Sequence, residues 1–174
     1  MQNTAQVTAT FSRRMRIRLA DGTDTEARIK GKRQRPVCGD IVTVEAISGE
    51  SDWLITAIGE RRNALTRPNR RGEAEVLAAN IDKLCAVAAL APRPDWYIVD
   101  RYLGAAEFMD PTGLVILNKS DLLDTADGRD SEADRILDHY RRIGYTVITC
   151  SAATGAGLES LLDALSGSTS ILVG

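Results

Sequence analysis

The polar tetrapeptide Asn118-Lys119-Ser120-Asp121 follows directly on the apolar run Leu114-Val-Ile-Leu117. The Asp121 carboxylate can accept two hydrogen bonds from neighbouring N–H groups, which is what N1–H and the 2-amino group of guanine offer; adenine has an acceptor and a C–H there and would leave the charge unpaired. The Lys119 methylene stem can lie over a purine face, while Asn118 can bond the far edge of the base and brace its own loop. Charge-assisted bonds of this kind are worth roughly 1.5 to 3 kcal/mol each, enough to choose between bases. A second polar turn, Thr149-Cys150-Ser151-Ala152, is expected to aim the backbone N–H of Ala152 at guanine O6, an acceptor that adenine lacks. A Ser-Ala pair alone says little. At the end of the next strand, with a helix between, it complements Asp121.

The elements that must position these groups are legible as alternating strands and helices. Leu84 to Leu90 is a buried-strand pattern ended by Pro92 and Pro94, and Trp96 to Met109 has helical spacing. Leu114 to Leu117 is the next strand, Ser131 to Ile143 a polar-faced helix, Tyr145 to Thr149 a strand, Leu158 to Leu165 a helix and Ser170 to Val173 a fourth strand. Such alternation predicts right-handed crossovers and a mainly parallel sheet, with ligands beyond the carboxyl ends of its strands. Two other glycine motifs are read as turns. Gly155-Ala-Gly157-Leu-Glu-Ser160 lacks the last small residue of a dinucleotide fingerprint, and Asp110-Pro-Thr-Gly113 stands too close to the base strand to sense a terminal phosphate.

The first part of the chain has a different rhythm. Arg14, Arg16 and Arg18 alternate with Met15, Ile17 and Leu19, so one face of that strand is cationic and the other apolar. Asp21-Gly22 and Gly39-Asp40 punctuate further short strands. About five strands before residue 60 predict an all-β barrel of the oligonucleotide- and oligosaccharide-binding (OB) type, although an SH3-like barrel would read much the same. Strand periodicity fades after Gly59, giving a division into an OB-type barrel over 1–66, a linker over 67–80 and an α/β domain over 81–174.

Charge follows the same division. Residues 1–72 carry 14 basic and 8 acidic side chains, whereas the remainder carries 8 and 16. The densest cluster, Arg28, Lys30, Lys32, Arg33 and Arg35, suits an RNA backbone, and the shortage of aromatic residues leaves little for base stacking. Cys38, Cys85 and Cys150 form no close pair for a metal, and His139 falls on a polar helical stretch. No apolar run approaches the roughly 20 residues that cross a bilayer, and the amino terminus lacks the charged and apolar regions of a signal peptide, so a cytoplasmic location and no membrane partner are expected.

Asn118-Lys119-x-Asp121 fits the base-reading pattern of guanine-nucleotide-binding proteins, yet nothing before it matches Gly-x-x-x-x-Gly-Lys-[Ser/Thr]. That inverted order behind a basic barrel resembles the circularly permuted ribosome small subunit-dependent GTPase A family. Arg62-Asn63-x-Leu65-x-Arg67-Pro68, Ala78-Ala79-Asn80-Ile81-Asp82, Asp100-Arg101-Tyr102-Leu103, Leu117 to Leu123 and Ser151-Ala152 carry the likeness. Thr169-Ser170-Ile-Leu-Val-Gly174 is similar to the family strand entering the phosphate loop, so the chain is expected to be an amino-terminal portion ending at that loop's first glycine. The resemblance implies an RNA-binding barrel over 1–66, an incomplete α/β P-loop-GTPase-like domain over 81–174, and GTP/GDP binding through Asn118, Lys119, Asp121, Ser151, Ala152 and Gly174. It further implies magnesium with the complete phosphate site, zinc only in a further carboxy-terminal domain, and a monomer that hydrolyses GTP on the small ribosomal subunit and its rRNA late in assembly. No catalytic residue is expected among these residues, and the stretch alone is expected to be inactive. The alternative is a non-catalytic RNA-binding adaptor whose nucleotide-like half is structural.

Overall fold

The computed structural model describes residues 3–12, 14–31, 35–122 and 131–174. Two compact units meet in sequence at Asn80 and Ile81. In the first, β1 (Asn3–Thr10), β2 (Arg14–Leu19), β3 (Asp24–Ile29), β4 (Ile41–Ala46) and β5 (Trp53–Ile58) close a barrel in the order β1-β2-β3-β5-β4. Closure comes from antiparallel β1–β4 pairing and a parallel β3–β5 pair, which realises the OB-type barrel. The period of two explains the core. Met15 and Ile17 point inward with Ala5, Val7, Ala27, Val42, Val44 and Ile55, while Arg14, Arg16 and Arg18 remain exposed.

Residues 67–80, expected as a linker, instead complete a hairpin. Its strands are β6 (Ala64–Pro68) and β7 (Ala74–Ala79). A bulge between Leu65 and Thr66 disturbs the alternation that would have shown β6 in sequence. The Asn69 side chain closes the turn, accepting from the backbone N–H groups of Arg71 and Glu73 at 2.8 and 3.0 Å. Gly39 ties the hairpin to the barrel: its φ is +90°, and a Cβ there would lie 1.8 Å from the Ala79 carbonyl oxygen. Beside it the fully buried Asp40 accepts two hydrogen bonds from Arg61, at 2.7 and 2.8 Å, and one from the Val37 N–H at 2.8 Å. An unpaired carboxylate at that depth would be costly, so Arg61 is a structural residue of this unit.

The second unit is a four-stranded parallel sheet in the order β10-β9-β8-β11, with β8 (Lys83–Ala89), β9 (Thr112–Asn118), β10 (Thr146–Thr149) and β11 (Ser170–Val173). Helices α1 (Trp96–Met109) and α2 (Ser131–Arg142) cover one face, where Val99, Leu103, Leu137 and Tyr140 pack on Ala86, Ala88, Val115 and Leu117. Helix α3 (Leu158–Leu165) covers the other, against Cys85, Leu114, Ile116, Ile148 and Cys150. Burial on both faces is why β8 and β9 read as continuous apolar runs rather than as alternation. Both glycine motifs are turns here. Asp110 caps α1 in the left-handed region (φ 77°), and Gly157 (φ 71°) starts α3 where a Cβ would meet the Thr149 carbonyl oxygen at 2.2 Å.

Candidate guanine-nucleotide site

All four parallel strands deliver their carboxyl ends to one edge of the sheet. The pairings of Ala89 with Asn118 and of Leu117 with Thr149 set the ends of β8, β9 and β10 side by side, and β11 runs beside β8 to Gly174. The edge therefore gathers Asn118, Lys119, Asp121, Ser151, Ala152 and Gly174 from segments up to 56 positions apart.

Asn118 ends β9 half-buried, and its Oδ1 accepts from the backbone N–H of Lys119 at 2.8 Å and of Ala152 at 3.1 Å. The brace expected of this side chain is thus formed. One assignment changes: the Ala152 N–H, expected to face guanine O6, is engaged by Asn118. An incoming O6 acceptor would have to share or replace this bond. Lys119 adopts φ 61°, left-handed for a residue with a Cβ, and its exposed side chain reaches the Ala91 carbonyl oxygen at 2.5 Å. Asp121 stands half-buried in a short 3-10 turn, Ser120–Leu122, and one of its carboxylate oxygens accepts from the Ser151 hydroxyl.

Ser151 is fully buried and doubly used. Its hydroxyl accepts from the Thr154 N–H at 3.2 Å while donating to Asp121, and its own N–H donates to the Ala156 carbonyl at 2.8 Å. Backbone bonds from Ser120 N–H to the Cys150 carbonyl (3.1 Å) and from Cys150 N–H to the Leu117 carbonyl (2.8 Å) lock the two loops together. The carboxylate that would read the base is hence oriented before any ligand arrives, which is the condition for selectivity at low entropic cost. Cys85 and Cys150 lie beneath as buried thiols, each pushed up from its ordinary pKa by desolvation. Gly174 closes the far side, where a Cβ would lie 2.2 Å from the Val87 carbonyl oxygen. This edge presents a carboxylate acceptor, a lysine stem and a backbone N–H, groups able to meet a purine base. Magnesium has no comparable set: no group of three or more acidic, His or Cys side chains among the described residues is placed to hold a metal ion.

The cationic candidates on the barrel are less concerted. Arg28 is taken by two carboxylates, Glu50 and Asp52, the latter at 3.0 Å. Lys30 and Arg35 are exposed, whereas Lys32 and Arg33 lie outside the described residues. On β2, Arg14 pairs with Glu26 at 2.7 Å and Arg18 with Asp24 at 2.8 Å. Ionic hydrogen bonding from Arg18 holds the Asp24 carboxyl below its ordinary range. Sequence inspection missed these pairs, and it also missed the Ala91 carbonyl, which no side-chain motif announces.

A family model described as RsgA GTPase matches residues 58–174. A small ribosomal subunit biogenesis GTPase RsgA of Yersinia enterocolitica is 38% identical over 97% of this chain and 49% of its own length. The protein of that name from Pseudomonas aeruginosa is 35% identical over 99% of the chain and 50% of its own. The chain thus spans about half the length of these relatives. Two solved structures share the fold across the whole chain and 60% of theirs: YjeQ from Thermotoga maritima, with a TM-score of 0.74 at 23% identity, and YloQ, a circularly permuted GTPase, with 0.73 at 21%.

Proposed function

The chain belongs to the RsgA GTPase family, and we propose that it carries the guanine-recognising half of a GTPase that acts in assembly of the small ribosomal subunit. The observation that supports this reading is the convergence of Asn118, Lys119, Asp121, Ser151 and Ala152 at one sheet edge, with Asp121 oriented by a buried hydroxyl. In this reading the free valences of the Asp121 carboxylate take N1–H and the 2-amino group of GTP or GDP. The Lys119 stem covers the ring, and the backbone at Gly174 leads toward the phosphates. Hydrolysis belongs to the complete protein, because no phosphate-loop lysine with its following hydroxyl lies within these residues. Magnesium would join through that loop.

The barrel supplies rRNA contact through Lys30, Lys32, Arg33 and Arg35, with Arg28 contributing less because two carboxylates offset its charge. The complete protein acts as a cytoplasmic monomer. Titration of labelled GDP and ADP into it is the direct test: GDP should bind at least about 100-fold more tightly, on the strength of charge-assisted bonds to Asp121. Equal affinities would refute the site. In parallel, replacing Lys30 and Arg35 with alanine should weaken rRNA binding and flatten its salt dependence.

A further inference from the structure

We infer that the β8–α1 loop, residues 91–95, is a positioning element of the guanine site, holding Lys119 across the base through the Ala91 carbonyl. The inference rests on the guanine reading above and adds a residue that no motif contains. Lysine has a flexible four-carbon stem, and an exposed one ordinarily samples many rotamers. Here both ends are fixed. The Lys119 N–H donates to Asn118 Oδ1 at 2.8 Å, and the ammonium is 2.5 Å from the Ala91 oxygen. The stem is therefore stretched from the end of β9 to the loop that follows its neighbour β8, across the edge where a purine would lie.

The loop has its own anchors. Asp95 caps α1 by accepting from the Tyr97 N–H at 3.0 Å, and Arg93 pairs with Glu132 in the first turn of α2. Pro92, Arg93, Pro94 and Asp95 also line a cleft together with Val173 and Gly174. The same loop thus meets the base-covering lysine and shares a cleft with the glycine leading to the phosphates. A carbonyl held at such a point fixes the lysine stem before binding, so that the base does not bear the ordering cost.

Hydrogen exchange at the amides of Leu90, Ala91, Arg93 and Asp95 in the complete protein, with and without saturating GDP, provides the test. Lys119→Met keeps an apolar stem and removes the ammonium. It should speed exchange at these amides roughly threefold or more without nucleotide, and should abolish their further protection by GDP. Pro94→Gly, which leaves Lys119 intact, should raise the Kd for GDP roughly threefold or more while preserving the preference over ADP. Unchanged exchange in Lys119→Met, or a loosened loop with unaltered GDP affinity in Pro94→Gly, would overturn the positioning role while leaving guanine recognition standing. Failure of the unmodified protein to bind GDP would overturn both.

Discussion

The barrel and the parallel sheet handle charge in opposite ways. On the barrel, arginines that alternate along β2 are met from β3 by Glu26 and Asp24, and Arg28 is met by Glu50 and Asp52. At the sheet edge the charged and polar groups are few, yet Ser151 and Asn118 hold them in fixed orientations around a common space. A tally of basic residues therefore overstates the barrel's field, because cross-strand partners lie far away in sequence. Four polar residues in one motif specify the sheet edge far better, because strand ends in a parallel sheet deliver whatever they carry to the same place.

The sharpest way to break this contrast is Asp121→Asn. An amide donor in place of the acceptor should raise the Kd for GDP about 100-fold and shift preference toward xanthine nucleotides, whose C2 carries an oxygen. Competition titration in the complete protein reads this, and an unchanged preference would remove Asp121 as the base reader. Gly157→Ala attacks the scaffold of the same edge rather than its chemistry. With φ at 71° and a Cβ 2.2 Å from the Thr149 oxygen, it should cost about 2 to 4 kcal/mol, seen as a lowered thermal midpoint.

Smaller effects probe the barrel. The double change Glu50→Gln with Asp52→Asn frees Arg28, so rRNA affinity at low salt should rise about threefold and the salt slope should steepen by about one phosphate contact. No gain would mean that Arg28 faces away from the RNA.

An effect of similar size separates the units by pH. Burial and then the hydrogen bond to the Asp100 carboxylate push the Tyr140 phenol above its ordinary pKa of 10. Its contribution is fully present below pH 10 and is lost as pH rises from there toward the folded-state value, since the unfolded chain ionises first. Every tyrosine lies beyond residue 96. Denaturant titrations between pH 9 and 11 should thus show about 1 kcal/mol less alkaline loss in Tyr140→Phe.

By itself the sequence determined much of this protein. Alternation in β2, unbroken apolar runs in β8 and β9 and helical spacing in α1 to α3 report local periodicity and two-faced burial, so element types and both architectures follow from them. Asn118, Lys119 and Asp121 were legible as candidate base readers because the role proposed for them requires those groups at that spacing. Tertiary structure decided what depends on distant partners. The β6–β7 hairpin, obscured by a bulge and by its arginines, is ordered by the turn at Asn69 and by the close approach of Gly39 to Ala79. The buried Arg61–Asp40 pair, the capture of Arg28 by two carboxylates, the engagement of Ala152 N–H by Asn118 and the hold of Ala91 on Lys119 join residues 21 to 34 positions apart. Hydrogen bonds and ion pairs act over a few ångströms in space. Only the folded chain brings those partners within that range.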